Sequence, residues 1–359
     1  MAGALNLVLY QKGLGNYDKK SLRIRRLSEF IGIRLGLSET ELNDIRIASE
    51  ISKADLLSQS VGEFPELQGI MGKYFALHSG LPERIAIAIE EHYRPTQSGG
   101  QLPQSIIGQV IAIADKTDHL TGLFLTNQKP SASSDPYGAR RAASGVVDII
   151  RYSGMKNLPL SELVSESLKG FNIDEIRAND NKVSINPRAG EEILEFIRVR
   201  IKAMLTEEIK PDVAEAILNA EPGIDDVSSV FERKEALMQY IRDPDFEKFA
   251  VVYKRASNIT KDFSVADVDK SLFEYEEENV LYESVARIRS EYFSCLTKRD
   301  FFNAMRLLRE NLYEPVFRFF DKVFVMAEDE KVRKNRLALL KSVVVLFRKI
   351  IDLSFISSM

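Results

Sequence analysis

Three residues able to take part in metal-assisted hydrolysis recur in the first third of the chain. Asp55 stands in "SKADLL", His92 in "EEHYRP" and Asp115 in "IADKTD". Carboxylate oxygens and imidazole nitrogens are groups that divalent cations use when they activate water. The neighbouring residues oppose that chemistry. Lys53 stands two positions before Asp55, where a further ligand would be needed, and "SLRIRRL" supplies Arg23, Arg25 and Arg26. Ammonium and guanidinium groups only donate hydrogen bonds and repel a divalent ion. The alternative is a buried Lys/Arg–Asp network that ties helices together, with the Lys53 ammonium near Asp55 or Asp115. No metal site is expected.

Nucleotide chemistry has weaker support. "GLGNYD" at 13–18 has a Gly-x-Gly start but no third glycine and no preceding strand of convincing length. No phosphate loop of the form GxxxxGK[ST] occurs. Neither short signature of class I synthetases nor the arginine-bearing strand of class II is present, so the chain is not expected to activate an amino acid.

A third chemistry lies near the C-terminus. Residues 298–359 hold 13 Lys/Arg against 8 Asp/Glu, whereas 262–283 hold eight acidic residues and one lysine. Such segregation gives one face able to meet phosphate in a chain of net charge −4. The contact candidates are Lys254, Arg255, Asn258, Arg306, Arg309, Lys334 and Arg336, with Tyr253 beside the first three. Arginine offers bidentate phosphate contacts, and asparagine reads a base edge. Each of these residues also reads as part of a solvated helix face.

The elements that carry these residues read as helices. Residues 224–359 contain no glycine and only Pro244 and Pro315. Tight strand turns usually need glycine, so long helices are expected there. Leu281, Val285, Ile288 and Tyr292 recur at helical spacing. So do Phe301, Met305, Leu308 and Leu312, and then Leu337, Leu340, Val344, Phe347 and Ile351. These stripes predict a bundle. Earlier, "KKSLRIRRLSEFIGIRLG" stops at a glycine cap, Gly36. Ser38 and Glu41 form a capping box, and "QSIIGQVIAIADKTDHLTGLF" is nearly all apolar. A helix apolar all round is buried, so its Asp115 and Asp118 need partners. Phe64 and Leu67 are expected to anchor the turn after Asp55. Residues 170–191 read as loop, 191–219 as a helical pair and 220–226 as a break. The expected class is all-α: a helical domain at 1–150, a helical connector at 151–235 and a helical bundle at 236–359.

Bulk composition narrows the classes further. Apolar residues make up 45% and charged residues 28% of the 359 positions, as in soluble globular chains. Cys295 is the sole cysteine, which excludes an intrachain disulfide and fits a reducing cytoplasm. No apolar run reaches the roughly 18 residues of a membrane span. The N-terminal "MAGALNLVLY" lacks the pattern of a signal peptide.

Several longer motifs occur in order: "KADLLSQSVGEFPELQGIMGKYFALHSG", "AIEEHYRP", "IADKTDHLTGLF" and "DPYGARRAASGVVDIIR". They are followed by "VVYKRASNI" and "EPVFRFFDKVFVMAEDEKVRKNRLALL". Together they resemble the β subunit of the bacterial-type glycyl-tRNA synthetase, in its C-terminal part. The first region also resembles the helical HD phosphohydrolase superfamily in layout, with Lys53, Asp55, His92 and Asp115 at degenerate, structural positions. The resemblance implies a non-catalytic chain that positions glycine tRNA. A separate α subunit would hold glycine, ATP and magnesium, within a heterotetramer of two α and two β chains. It implies no cofactor in this chain, no membrane and a cytoplasmic setting. It also implies a C-terminal bundle similar to the anticodon-binding domain of arginyl-tRNA synthetase. Where the family reads Asp-Pro-Phe-Ala-Leu-Arg-Arg, this chain has Asp135-Pro136-Tyr137-Gly138-Ala139-Arg140-Arg141. Arg140 and Arg141 are kept and join the RNA-contact candidates. The family's β subunit is roughly double this length, so a C-terminal piece unable to support aminoacylation is expected. Two alternatives stay open: a divergent HD-type metal-dependent phosphohydrolase, and a structural domain that docks the α subunit through helix 105–125 and the "VGEFPELQG" turn.

Overall fold

The computed structural model describes residues 2–11, 13–240, 246–264 and 267–356; Pro244 lies outside them. The strands among these residues are β1 (Leu9–Gln11) and β2 (Gly15–Asn16), a small antiparallel hairpin. The regular structure is otherwise helical, as the glycine distribution and apolar spacing predict. Gly13 and Gly15 take φ of 83° and 84° in this hairpin, so the Gly-x-Gly start is a turn.

The chain divides into two compact units. The first comprises Met1–Ile201 and Asp225–Ser228. It contains α1 (Tyr17–Arg34), α2 (Glu39–Ile51), α3 (Gln59–Glu63), α4 (Ile70–His78) and α5 (Glu83–Glu91). These are followed by α6 (Ile106–Leu125), α7 (Ala139–Ser153), α8 (Leu160–Leu168), α9 (Ile173–Asn179) and most of α10 (Ala189–Thr206). Asn16 caps α1, and Gly36, with φ 71°, follows its end. Ser38 and Glu41 form the expected capping box on α2.

Helix α6 is the core element. It packs against α1, α2, α5, α7 and α8. Ile111, Ile113, Leu120 and Leu123 on it are fully buried. Each such side chain contributes roughly 1.5–3 kcal/mol by leaving water. Burial on all sides also encloses Lys116 and Asp118, and this fixes the chemistry described below.

Two local expectations need correction. Phe64 does not anchor its turn: it is 52% exposed, and Leu67 is only half-buried, while Val61 on α3 is buried. The segment 170–191 is not all loop, because Asn172 accepts hydrogen bonds from the Asp174 and Glu175 amides and so starts α9. At the site of the sequence departure, Gly138 has φ 70° and precedes α7, and Ala139 is fully buried.

The second unit comprises Lys202–Ile224 and Ser229–Met359. It contains α11 (Pro211–Leu218), most of α12 (Val227–Tyr240), α13 (Phe246–Ile259), α14 (Glu276–Thr297), α15 (Phe301–Lys322) and α16 (Glu330–Arg348). Helices α13 to α16 pack as a bundle. Its core is built from the predicted stripes: Leu281, Ile288, Tyr292, Leu308, Leu312, Leu340, Val344 and Phe347 are all buried. Tyr253 belongs to this core. It lies 4.7 Å from the Phe347 ring and is 2% exposed, so it is not available to stack on a base.

Candidate functional site

In the first unit, the residues suited to metal chemistry gather around α6, but their arrangement is that of ion pairs. Lys53 follows α2 and donates to Asp115 Oδ2 at 2.7 Å. Lys20 on α1 reaches Asp115 Oδ1 at 2.8 Å and Asp118 Oδ2 at 3.1 Å. Arg23, one helical turn on, donates to Asp118 Oδ1 at 2.7 Å. Both carboxylates of the apolar helix thus find cationic partners, as burial demands. Burial alone would raise the Asp115 carboxyl, but Lys20 and Lys53 outweigh it and hold it well below the usual carboxylate range. Burial also opposes Lys20, yet Asp115, Tyr10 and Asp118 keep it protonated above the ordinary lysine range.

Asp55 and His92 are spatially close to this network but play other parts. Asp55 accepts from the Gly69 amide at 2.6 Å, which secures the turn into α4. Its carboxyl is raised, chiefly by burial. His92 is fully buried, with Nδ1 2.6 Å from the Ile89 carbonyl oxygen. Burial, followed by the charge of Lys53, holds its imidazole well below the ordinary histidine value and hence neutral. Among the described residues, no three His, Cys, Asp or Glu side chains form a group able to hold a metal ion. Lys53 and Lys20 occupy both oxygens of Asp115, the one carboxylate that a metal would most need.

Sequence spacing did not reveal Lys116 or Lys20 as members of the cluster. Lys116 donates to the Arg94 carbonyl at 2.7 Å and lies 3.3 Å from that of His92. Burial pushes its ammonium down to about 7. The available signal was a lysine beside Asp115 on a helix with no polar face.

The predicted RNA contacts differ in accessibility. Arg306 and Asn258 are exposed. Arg255 is exposed and lies 4.2 Å over the Phe320 ring. Lys254 is half-buried and donates to the Ile356 carbonyl at 3.1 Å. Arg309 is half-buried, 5.8 Å over the Tyr240 ring. Lys334 is exposed and pairs with Glu330 one turn earlier at 2.7 Å. In the first unit, Arg140 bonds the Ser131 carbonyl and approaches Asp135 at 4.0 Å, and Arg141 is exposed.

Arg336 must leave the contact set. It is 2% exposed and donates to Glu278 at 2.9 Å, Glu274 at 2.6 Å and the Phe324 carbonyl at 3.0 Å. Glu278 is itself fully buried. This arginine is an internal strut that joins α16 to the start of α14. Conversely, Phe317 and Phe324, 50% and 70% exposed, lie at the end of α15 and just beyond it. They supply the open aromatic faces that Tyr253 does not. Periodicity treats every aromatic residue as core, so these two were not separable by spacing.

Comparison with known proteins gives two family matches along the chain. The family model described as glycyl-tRNA synthetase beta subunit matches residues 1–219, and that of the DALR anticodon binding domain matches residues 250–359. The glycine--tRNA ligase beta subunit of Citrifermentans bemidjiense is 37% identical over 354 residues, covering 99% of this chain and 50% of the relative. That of Geotalea daltonii is 39% identical over 349 residues, covering 97% and 49%. That of Myxococcus xanthus is 37% identical over 358 residues, covering 99% and 50%. The chain spans about half the length of the curated relatives it matches.

Proposed function

Because the chain belongs to the glycyl-tRNA synthetase β-subunit family, we propose that it is a non-catalytic, tRNA-binding portion of that ligase, positioning glycine tRNA for ATP-dependent glycylation by a separate α subunit. The observation that carries this reading is the anticodon-binding match over 250–359, which covers most of α13 and all of α14–α16. The exposed Arg255, Asn258 and Arg306 lie on that bundle, where they can meet phosphates and base edges. Phe317 and Phe324 add stacking faces for unpaired bases. The segment 1–150 serves as a degenerate HD-like scaffold, 151–235 as connector and 236–359 as the anticodon-binding part. ATP and magnesium belong to the α subunit, in an assembly of two α and two β chains. The lone Cys295 suits a cytoplasmic setting.

Gel-shift titration with glycine tRNA tests the reading. Binding that weakens steeply with salt supports phosphate contact. Equal binding to a tRNA with a changed anticodon removes the anticodon-reading role.

The metal-hydrolase alternative is disfavoured by the two ammonium groups on Asp115. Metal bound after chelator-free purification, together with nucleotide turnover, would revive it. Docking of the α subunit through 105–125 is disfavoured because α6 is buried within its own unit. Phe64 in the adjoining turn stays accessible to such a partner.

A further inference from the structure

A cleft of about 550 Å³ opens over the Lys53–Asp115 pair. Pockets of roughly 300–1,000 Å³ accept ligands of nucleotide size. Four cations line it, Lys20, Lys53, Lys116 and Arg141, against two carboxylates, Asp115 and the exposed Glu66. Because burial leaves Lys116 only partly protonated at neutral pH, an excess of between one and two positive charges faces a concave, partly desolvated space, where electrostatic attraction is stronger than in open water. Behind the wall, Asp118 accepts from both Arg23 and Lys20, and Arg23 supplies the charge that balances it.

The excess is not absorbed by the protein. Asp115 is shared between Lys20 and Lys53, one oxygen each. Lys116 has only backbone carbonyls as acceptors. Arg141 is exposed and has no hydrogen-bond or ion-pair acceptor among the described residues; its Nη2 would lie 2.9 Å from a Cβ placed on Gly138. The glycine thus leaves room for the guanidinium to lie over the start of α7 at the edge of the cleft. Aromatic faces complete the walls. The rings of Tyr10 and Tyr93 are covered by the Lys20 and Lys53 ammonium groups, at 4.5 Å and 4.0 Å. Tyr17 and the 46% exposed Tyr137 remain for a ligand ring.

We infer that this cleft binds a phosphate monoester of nucleotide size, its dianion held by Arg141 and Lys53 and its ring set against Tyr17 or Tyr137. The site is chemically the reverse of a metal centre: ammonium groups occupy the carboxylate, and the ligand supplies the missing negative charge. Lys116 faces Asp115, Lys20, Lys53, Arg141 and the three carbonyls from His92 to Arg94. With its ammonium near 7, it takes up a proton when a dianion arrives.

The test is calorimetric titration of the whole chain with inorganic phosphate, AMP and adenosine at low salt. AMP and phosphate should bind and adenosine should not. Arg141→Ala, a change at an exposed side chain, should weaken AMP binding by about tenfold, as expected for a lost charge-assisted hydrogen bond. Lys53→Met should also weaken it, and binding above neutral pH should take up protons, as measured in two buffers of different ionisation enthalpy. Absence of binding at millimolar AMP would overturn the inference. So would equal affinity for adenosine, or an affinity unchanged in Arg141→Ala. Arg306→Ala in the bundle should leave AMP affinity unchanged, which separates this outcome from that of the tRNA reading.

Discussion

Lys53 and Asp115 are joined by a 2.7 Å ion pair within the first unit, and Lys20 holds the other oxygen of the same carboxylate at 2.8 Å. Two buried ammonium groups on one largely buried carboxylate form a structural device. They set a positive charge against each oxygen, where it repels a divalent metal, and they anchor α1 and the end of α2 to α6.

Asp115→Asn should therefore destabilise the first unit sharply. The amide cannot balance Lys20 and Lys53, and removing one member of a buried ion network costs about 3–5 kcal/mol. Urea unfolding followed by far-UV circular dichroism measures this, which suits a chain without tryptophan. In a double-mutant cycle, Lys53→Met combined with Asp115→Asn should cost less than the two single changes added together. Simple additivity would show that the pair is not coupled.

The same carboxylates set the acid response. Burial opposes the ionised forms, but Lys20 and Lys53 at Asp115, and Arg23 and Lys20 at Asp118, lower both folded-state values. Between the ordinary carboxylate range and these lower values, the unfolded chain binds more protons than the native chain. The stabilisation is thus fully present above the ordinary range and lost as pH falls through the folded values. Acid titration monitored by circular dichroism should show this loss, and Asp118→Asn should make the pH dependence shallower. An unchanged profile would contradict the assignment.

Arg336 and Lys334 lie two residues apart on α16 but should behave oppositely. Arg336→Ala leaves the buried Glu278 without its guanidinium and should destabilise the second unit by about 3 kcal/mol. Lys334→Ala removes an exposed one-turn pair and should leave stability unchanged within error. Any loss of RNA binding in Arg336→Ala should follow the fraction unfolded, as seen by measuring both in one temperature series.

The turn after Asp55 offers a similar contrast. Val61→Ala removes buried methyl groups and should cost about 1–2 kcal/mol. Phe64→Ala, at a half-open position, should stay within about 0.5 kcal/mol. Denaturant midpoints of the two variants check the order.

The bundle was legible because its signal is local. Leu281, Ile288 and Tyr292 fall on one face of α14 by spacing alone, and all are buried. The same holds for the capping box at Ser38, where both partners lie within one helical turn. Arg336 was not legible, because its partner Glu278 is 58 positions away and charge on a helix normally reads as solvent-facing. Lys116 and Lys20 were missed for the same reason: a buried lysine is intelligible only once its acceptors on other elements are known. Phe64 and Phe324 failed in the other direction, since hydrophobicity predicts burial but not which large side chains a surface leaves uncovered.

Salt-dependent binding of glycine tRNA to the intact chain, compared with an Arg255→Ala, Arg306→Ala, Lys334→Ala triple variant, tests the central claim most directly. The account predicts an affinity that falls linearly in log–log form with salt. In the variant the affinity should be weaker and the slope shallower by about one unit per lost phosphate contact. An affinity that ignores salt, or a folded triple variant that binds as tightly and as salt-sensitively as the parent, would contradict tRNA binding through this bundle.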